Sequence, residues 1–268
     1  MKLPLRIFSD LHLGHRASRI ADVENLRPLF RGAGTVLFNG DTWEELAEPW
    51  KEKSEQMLCQ LRAVLAEEGC DVIFLPGNHD PGWEGKGFLE LAEGRIVITH
   101  GDALLRDGAP WKREMLAGRE VVDRLWRVCP EAETEPVARH ELARKIARTL
   151  PNRAHPKGRS LIARAFDAAF PPQRAIAMLR AWMSQGRLGA SFCERYFPTS
   201  ELLVVGHFHC LGIRKSRGRA IINTGSFVVP GPAGWVEWDG RSLSFGRIRE
   251  PRAAETLMGQ AMQVRKFI

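Results

Sequence analysis

Cysteine is scarce in this sequence. Five cysteines occur in 268 residues, an odd number, and no two of them form a C-x-x-C pair. A disulfide framework and a zinc knuckle both require paired cysteines at short spacings, so we expect neither. This cysteine usage is typical of a protein from a reducing compartment.

Long apolar runs are also missing. No stretch approaches the roughly 20 apolar residues that span a bilayer. The first eight residues are too short and too interrupted for a secretory signal peptide. We therefore expect a cytoplasmic protein. Internal repeats and low-complexity tracts are absent as well, and a composition of 44% hydrophobic and 26% charged residues is that of a globular protein rather than a disordered one.

The positive charge is unevenly distributed. The formal net charge is +7, and residues 103–200 hold 18 Lys and Arg against 10 Asp and Glu, so all of the excess lies in one central segment. A basic segment suggests anionic partners such as a phosphorylated substrate, nucleic acid or a membrane surface. A solvated, arginine-rich helical surface is the alternative interpretation.

The first hundred residues alternate between short buried strands and helices. Strands are predicted at residues 5–8, 35–38, 71–75 and 95–99, with helices near 18–30, 43–68 and 87–92. This alternation favours an α/β fold with βαβ units and sheets that are covered on both faces.

The central segment has no strand pattern. Residues 106–200 are predicted to form a basic helical insert or cap between core segments 1–105 and 201–268, with helices at 112–128, 135–150, 159–170 and 173–186. Strands then resume at 201–205, 210–215, 219–223, 226–229, 234–238 and 242–248. Asp239-Gly240 predicts a type I′ hairpin, and a last helix is predicted near 252–264.

Five of the predicted strands end in turns that carry oxygen or nitrogen ligands. These turns are Asp10-x-His12, Gly40-Asp41, Gly77-Asn78-His79-Asp80, His100-Gly101-Asp102 and Gly206-His207-x-His209. Open α/β sheets place their ligand sites beyond the carboxyl ends of the strands. Residues at i and i+2 of an extended segment point the same way, so Asp10 with His12, and His207 with His209, can each address one site.

The ligand types in these turns limit which metal ions could bind there. Carboxylate and amide oxygens with imidazoles, and no thiolate, suit Mn, Fe, Zn or similar divalent ions. Seven ligands are too many for one ion, but they suit two ions that share a bridging carboxylate.

This set of motifs, in this order, resembles the calcineurin-like metallophosphoesterases. The resemblance covers residues 5–102 and 201–249. It implies a two-sheet sandwich flanked by helices (α/β-β-α) that hydrolyses phosphate esters with two divalent ions. Manganese is the metal we expect, with iron, zinc and magnesium as alternatives.

The same resemblance implies a role for each motif residue. Asp10, His12 and His209 would hold the first metal, Asn78, His100 and His207 the second, and Asp41 would bridge them. His79 would stand outside the coordination shell near the leaving oxygen, with Asp80 orienting its ring. His79 could instead only support the ligands.

Two cations about 3.5–4 Å apart can bind phosphoryl oxygens and hold a bridging hydroxide as the nucleophile. The departing oxygen then needs a proton or positive charge, for which His79 is the candidate.

The motifs leave the substrate open. Cations of the insert could grip phosphates: Arg106, Lys112, Arg113, Arg119, Arg153, Lys157 and Arg159. The insert also resembles that of the UDP-2,3-diacylglucosamine hydrolases, which cleave a pyrophosphate bond at a membrane surface, although that subfamily carries Arg where this chain has His79. Peripheral contact with the inner face of a membrane is therefore one expectation. A nuclease and a non-catalytic metal-binding scaffold are further alternatives, and no obligate protein partner is evident.

Overall fold

Two β-sheets form the centre of the molecule. The computed structural model describes residues 1–112, 114–149, 172–249 and 257–267. The first sheet contains β1 (Leu5–Phe8), β2 (Thr35–Asn39), β3 (Asp71–Leu75), β9 (Gly234–Trp238), β10 (Ser242–Arg249) and β11 (Leu257–Lys266), in the order β11-β10-β9-β1-β2-β3. The second contains β4 (Phe88–Leu91), β5 (Ile96–Thr99), β6 (Leu202–Val205), β7 (Gly212–Ser216) and β8 (Arg219–Asn223), in the order β4-β5-β6-β8-β7.

Each sheet has a parallel part of three strands. In the first sheet β1 pairs in parallel with β2, and β2 with β3. In the second sheet β5 pairs in parallel with β6, and β6 with β8. The remaining strand pairs are antiparallel. Parallel strands deliver their carboxyl ends to one edge of a sheet, so each sheet presents one such edge.

Helices cover the outer faces. They are α1 (Arg27–Phe30), α2 (Glu48–Glu67), α3 (Met115–Val128), α4 (Pro136–Thr149) and α5 (Pro172–Tyr196), with 3-10 turns at Val23–Leu26, Asp102–Leu104 and Pro130–Glu133. No helix within the described ranges is long and apolar enough to cross a membrane.

Side chains alternate between the two faces of each strand, so the apolar residues of one strand contribute to two layers of the core, one between the sheets and one beneath the helices. In β1, Ile7 packs between the two sheets against Ile98 and Val204, while Phe8 faces α2 and its Leu61. Successive side chains of a strand point to opposite faces, so one short buried run supplies two layers of core. The expected helix-flanked two-sheet sandwich is confirmed.

The predicted insert contributes to two different cores. Helix α5 packs Phe192 and Cys193 against the outer face of the second sheet, at Leu203 and Ile221. Helices α3 and α4 form a smaller cluster of their own, which includes Met115, Val122, Leu142 and Ile146. The division at residues 106 and 200 stays a prediction. The predicted helix at 159–170 lies outside the described residues.

Two predicted helices are strands. Residues 88–91 form β4, which pairs antiparallel with β5, and residues 257–266 form β11, which pairs antiparallel with β10. The local helix propensity of a segment is only a weak preference, and pairing with a neighbouring strand overrides it. The rest of the helix predicted near 252–264 lies outside the described residues.

Three smaller predictions also need correction. The helix expected at 18–30 is only the turn Val23–Leu26 followed by α1. Residues 226–229 form no strand of either sheet, and Val228 makes an isolated bridge to Ser18. The hairpin after β9 exists, but Gly240 alone has a positive φ there (98°), which fits a type II′ turn rather than type I′.

Candidate metal centre

The five motifs meet where the carboxyl edges of the two parallel strand sets adjoin. β1, β2 and β3 lead into Asp10, His12, Asp41 and Asn78, while β5 and β6 lead into His100, His207 and His209. Side chains tie the two edges together. The amide of Asn39 donates to the carbonyl of Thr99 at 2.9 Å, and the hydroxyls of Ser9 and Thr224 lie 2.5 Å apart.

One cluster of ligand atoms contains Asp10, His12 and His209. Their ligand atoms all lie within 4.8 Å of one another. His209 Nε2 is 3.1 Å from Asp10 Oδ1, and the rings of His12 and His209 are 5.5 Å apart. These are the three residues that the family resemblance assigned to the first metal.

A second cluster contains Asp41, His100 and His207, again within 4.8 Å. Asp41 Oδ2 lies 3.3 Å from His100 Nε2 and 3.7 Å from His12 Nε2, so one carboxylate oxygen faces both clusters. Its other oxygen, Oδ1, accepts the backbone N–H of His79 at 2.8 Å. Asp41 therefore lies between the two clusters.

The backbone at these residues is left-handed, not extended. The φ angles are 54° at Asp10, 47° at His12, 50° at Asp41, 60° at His207 and 53° at His209. The extended geometry expected for these pairs is therefore wrong, although Asp10 and His12 do belong to one cluster. His207 and His209 in fact belong to different clusters. Positive φ at non-glycine residues costs of the order of 1 kcal/mol each, and such strain concentrates at functional sites.

In three of the four imidazoles of the two clusters, the nitrogen that faces away from the cluster has a hydrogen-bond partner. His12 Nδ1 donates to Glu44 Oε1 at 2.8 Å, and His100 Nδ1 to the carbonyl of Asn39 at 2.9 Å. His207 Nε2 donates to the carbonyl of Gly108 at 2.9 Å. Acceptors of this kind fix the tautomer and aim the opposite nitrogen of each ring at a metal.

Three buried ligand atoms have no hydrogen-bond partner within the described part of the chain. They are His12 Nε2, His100 Nε2 and Asn78 Oδ1. A buried polar atom that lacks a partner costs about 1–3 kcal/mol. Imidazole nitrogen, amide oxygen and carboxylate are the donors that divalent first-row metals accept. The residues present therefore fit divalent ions.

Two glycines leave room for the carboxylates. A Cβ on Gly77 would lie 2.3 Å from Asp41 Oδ1, and a Cβ on Gly206 would lie 2.2 Å from Asp10 Oδ2. No side-chain carbon fits at such distances. The glycines of these motifs therefore keep space for the ligand side chains.

Asp80 does not have the partners that we expected. Its carboxylate accepts the backbone N–H groups of Asp41, Thr42 and Gly77 at 2.7–2.9 Å and the indole N–H of Trp83 at 2.9 Å. Asp80 thus fixes the turn that carries Asp41. The prediction that Asp80 orients the ring of His79 needs correction.

Glu44 orients His79 instead. His79 Nδ1 lies 2.8 Å from Glu44 Oε2, and the other oxygen of the same carboxylate binds His12. The Glu44 side chain is 1% exposed. Sequence reasoning missed this residue. The available signal was its place three residues after Asp41, in the turn that follows β2.

The electrostatics of the site favour a bound cation. Burial raises the pKa of Asp41, but the neighbouring imidazoles of His100 and His79 outweigh burial and hold that pKa well below its usual range. Burial lowers the pKa of His100, yet the Asp41 carboxylate outweighs it and holds that pKa well above 6.5. The same attraction is available to a metal ion, which competes with protons for these groups.

Asp80 and His207 have pKa values that are shifted toward their neutral forms. Burial and the nearby Asp41 carboxylate raise the pKa of Asp80 to about 7. Burial and the neighbouring His100 lower the pKa of His207 to about 3, so this imidazole is neutral at physiological pH. A histidine binds a metal only in its neutral form, so His207 meets that requirement.

Comparison with known proteins agrees with this fold. The calcineurin-like phosphoesterase family matches residues 3–144, more than half of the sequence, and the chain belongs to that family. It is a metallophosphoesterase, a hydrolase of the phosphoric ester class.

Several solved structures are similar at low identity. A dimetal phosphatase from Danio rerio has 13% identity and a TM-score of 0.47, with 95% of this chain and 98% of that chain covered. Vps29 from Chaetomium thermophilum has 11% identity and a TM-score of 0.43, with 99% and 97% covered. Vps29 from Entamoeba histolytica in complex with Zn²⁺ has 13% identity and a TM-score of 0.42, with 96% and 99% covered. No curated protein sequence matches the chain.

Proposed function

We propose that this protein is a phosphohydrolase that binds two divalent metal ions and cleaves a phosphoester or pyrophosphate bond. The observation that carries the proposal is the arrangement around Asp41. Its Oδ2 atom belongs to one ligand cluster and lies 3.7 Å from His12 Nε2 of the other, and His12 Nε2 and His100 Nε2 are buried without a hydrogen-bond partner among the described residues. Asp10, His12 and His209 would hold one ion, and Asn78, His100 and His207 the other, with Asp41 between them.

When bound, two such ions supply Lewis-acid stabilisation of phosphoryl charge and a hydroxide nucleophile at neutral pH. Manganese is the metal that we expect, with iron, zinc and magnesium as alternatives. The carboxylates of Asp10 and Asp41 are buried, which strengthens their attraction for cations, since the surrounding dielectric is low.

His79 is the proposed catalytic side chain. Glu44 holds the Nδ1 edge of its ring, so the Nε2 edge would address the leaving oxygen. There His79 would donate a proton or stabilise the developing negative charge. The backbone N–H of His79 donates to Asp41 Oδ1, so the proposed acid and the proposed bridging carboxylate keep a fixed spacing. Asp80 would act indirectly, by fixing the turn before Thr42.

The proposed substrate is an anionic phosphorylated molecule, for which the net excess of basic residues in the insert is favourable. UDP-2,3-diacylglucosamine is the specific alternative, and it would bring the insert to a membrane surface. We also propose a cytoplasmic location. Nucleic acid is a less favoured substrate, and a non-catalytic scaffold would not need every ligand position to be filled.

A substrate panel tests this proposal. The Mn²⁺-loaded protein would be assayed with p-nitrophenyl phosphate, bis-p-nitrophenyl phosphate, single-stranded DNA and UDP-2,3-diacylglucosamine, beside Asp41→Asn and His79→Gln. We expect hydrolysis of at least one ester, at a rate that is about 100-fold lower in Asp41→Asn, the upper end of the losses found when a metal site is disturbed. Metal-loaded protein that hydrolyses nothing would contradict the enzymatic proposal.

A further inference from the structure

The first turn of the insert lies directly on a metal-ligand histidine. The carbonyl of Gly108 accepts from His207 Nε2 at 2.9 Å. The ring of Trp111 lies 4.9 Å from the ring of His207, tilted by 39°. The segment 108–112 therefore forms part of the rim of the metal centre.

Lys112 is fixed at the end of this segment. Its N–H donates to the carbonyl of Ala109 at 2.9 Å, and its own carbonyl accepts from Met115 at 3.2 Å, where α3 begins. The side chain is half-buried. Burial lowers the pKa of the Lys112 ammonium, and the carboxylates of Asp41 and Glu44 partly oppose that effect. Because segment 108–112 packs on His207, the Lys112 side chain starts from the rim of the metal centre.

Other cations of the insert are already engaged. Arg106 pairs with Asp123 at 2.8 Å. Arg139 stacks over Trp126 and donates to the carbonyl of Leu105. Lys112, in contrast, has no hydrogen bond or ion pair from its side chain to any described residue. A partly desolvated ammonium is stabilised by an anionic partner, and a substrate phosphate at the metal centre would supply one.

We propose that Lys112 is a substrate-binding and specificity residue, whose ammonium contacts a non-bridging phosphoryl oxygen and favours a doubly charged phosphomonoester over a singly charged diester. This inference depends on the proposed function. The Coulomb energy between an ammonium and a phosphate scales with the phosphate charge, so the same lysine contributes more to binding a dianion than a monoanion. The ionised substrate would supply the partner that Lys112 lacks.

Three substitutions at this position test the proposal, with Arg124→Met as the matched control. Arg124 is an exposed cation of the same insert, on a surface groove whose lining contains none of the proposed ligands. In Lys112→Met and Lys112→Gln, we expect the KM for p-nitrophenyl phosphate to rise about tenfold or more, as for the loss of one charge-assisted hydrogen bond. The KM for bis-p-nitrophenyl phosphate would rise less. Lys112→Arg would recover most of the loss, and Arg124→Met would behave as the wild type.

Equal KM increases for the two esters, or none for either, would overturn the proposal. A second readout does not need turnover. Isothermal titration of the Mn²⁺-loaded proteins with inorganic phosphate should show about tenfold weaker binding in Lys112→Met, and unchanged Mn²⁺ stoichiometry would show that the metal centre is intact.

These readouts separate the two proposals. Weaker phosphate binding in Lys112→Met, in a protein that hydrolyses no ester, would support the role of Lys112 and contradict the proposed function. Hydrolysis that is unchanged by substitution of Lys112 would support the proposed function and contradict the role of Lys112. A wild-type protein that neither hydrolyses esters nor binds phosphate would overturn both.

Discussion

Glu44 offers a sharp test, because one buried carboxylate holds two histidines with different proposed roles. Its two oxygens lie 2.8 Å from His12 Nδ1 and 2.8 Å from His79 Nδ1. Glu44→Gln keeps the volume but replaces one acceptor oxygen by an amide N–H₂ donor. One histidine therefore loses its acceptor and has to change its tautomer or turn.

The magnitude follows from these contacts. A hydrogen bond to a charged group contributes about 1.5–3 kcal/mol. Loss of a carboxylate behind a metal-ligating histidine lowers metal affinity or activity about 10–100-fold. If the His12 contact fails, the metal affinity falls by such a factor. If the His79 contact fails, metal binding persists and kcat falls by a similar factor.

The assay pairs Mn²⁺ titration calorimetry with p-nitrophenyl phosphate kinetics. Glu45→Gln is the control. Within the described part of the chain, this neighbouring carboxylate accepts the backbone N–H of Gly82 and bonds to neither histidine ring. We expect Glu45→Gln to keep both values within about threefold of the wild type, the usual context scatter of a substitution outside the site. Unchanged metal affinity and unchanged kcat in Glu44→Gln would refute the reasoning.

Two further predictions concern stability. Burial lowers the pKa of His140 from 6.5 to about 4, so the unfolded chain binds the extra proton as the pH falls below 6.5. The metal-free protein should therefore lose up to about 3 kcal/mol of unfolding free energy between pH 6.5 and 4 through this residue, and urea titration of His140→Gln should lack that component. The Cβ of Gly206→Ala would lie 2.2 Å from Asp10 Oδ2, so this variant should lose about 3 kcal/mol and bind Mn²⁺ at least tenfold more weakly.

Each stability prediction has its own check. A wild type and a His140→Gln variant that lose stability in parallel with falling pH would exclude His140 as the cause. For Gly206, the comparison is Gly32→Ala, where a Cβ meets nothing within 4 Å but φ is +76°. That control should cost only about 1–2 kcal/mol. An equal cost at both glycines would show that the clash with Asp10 is not what matters.

Sequence reasoning worked where the signal was local. The strands that lead into Asp10, Asp41 and His100 are short runs in which most residues are apolar and buried, and such runs can be recognised in the sequence without knowledge of the strand they pair with. The motifs at their ends then follow from topology, because parallel strands bring their carboxyl ends together. The fold class and the convergence of the ligands were therefore predictable.

The failures concern interactions between distant residues. Phe88–Leu91 resembles a helix locally and becomes a strand only because Ile96–Thr99 pairs with it. Leu257–Lys266 is a strand because it extends the sheet beside β10. The left-handed backbone of the ligand residues also has no sequence signature, since Asp and His carry no preference as strong as that of glycine.

Glu44 and Lys112 show that sequence patterns also do not identify every residue of the candidate site. Sequence reasoning named Lys112 only as one of seven cations, and it did not name Glu44 at all. What distinguishes Glu44 is a pair of contacts with His12 and His79. What distinguishes Lys112 is the packing of segment 108–112 on His207. The packing of segment 108–112 cannot be read from spacing along the chain, and the place of Glu44 three residues after Asp41 does not by itself reveal its two contacts.

The most direct test of the account is the metal content of the protein. Metal-free protein would be titrated with Mn²⁺ by calorimetry and the bound metal counted by elemental analysis after dialysis. We expect two ions per chain in the wild type, one in His209→Gln, and weakened binding of both in Asp41→Asn, because Asp41 Oδ2 faces both clusters. A wild type that binds a single ion, or an Asp41→Asn variant that still binds two ions with unchanged affinity, would contradict the shared-carboxylate centre.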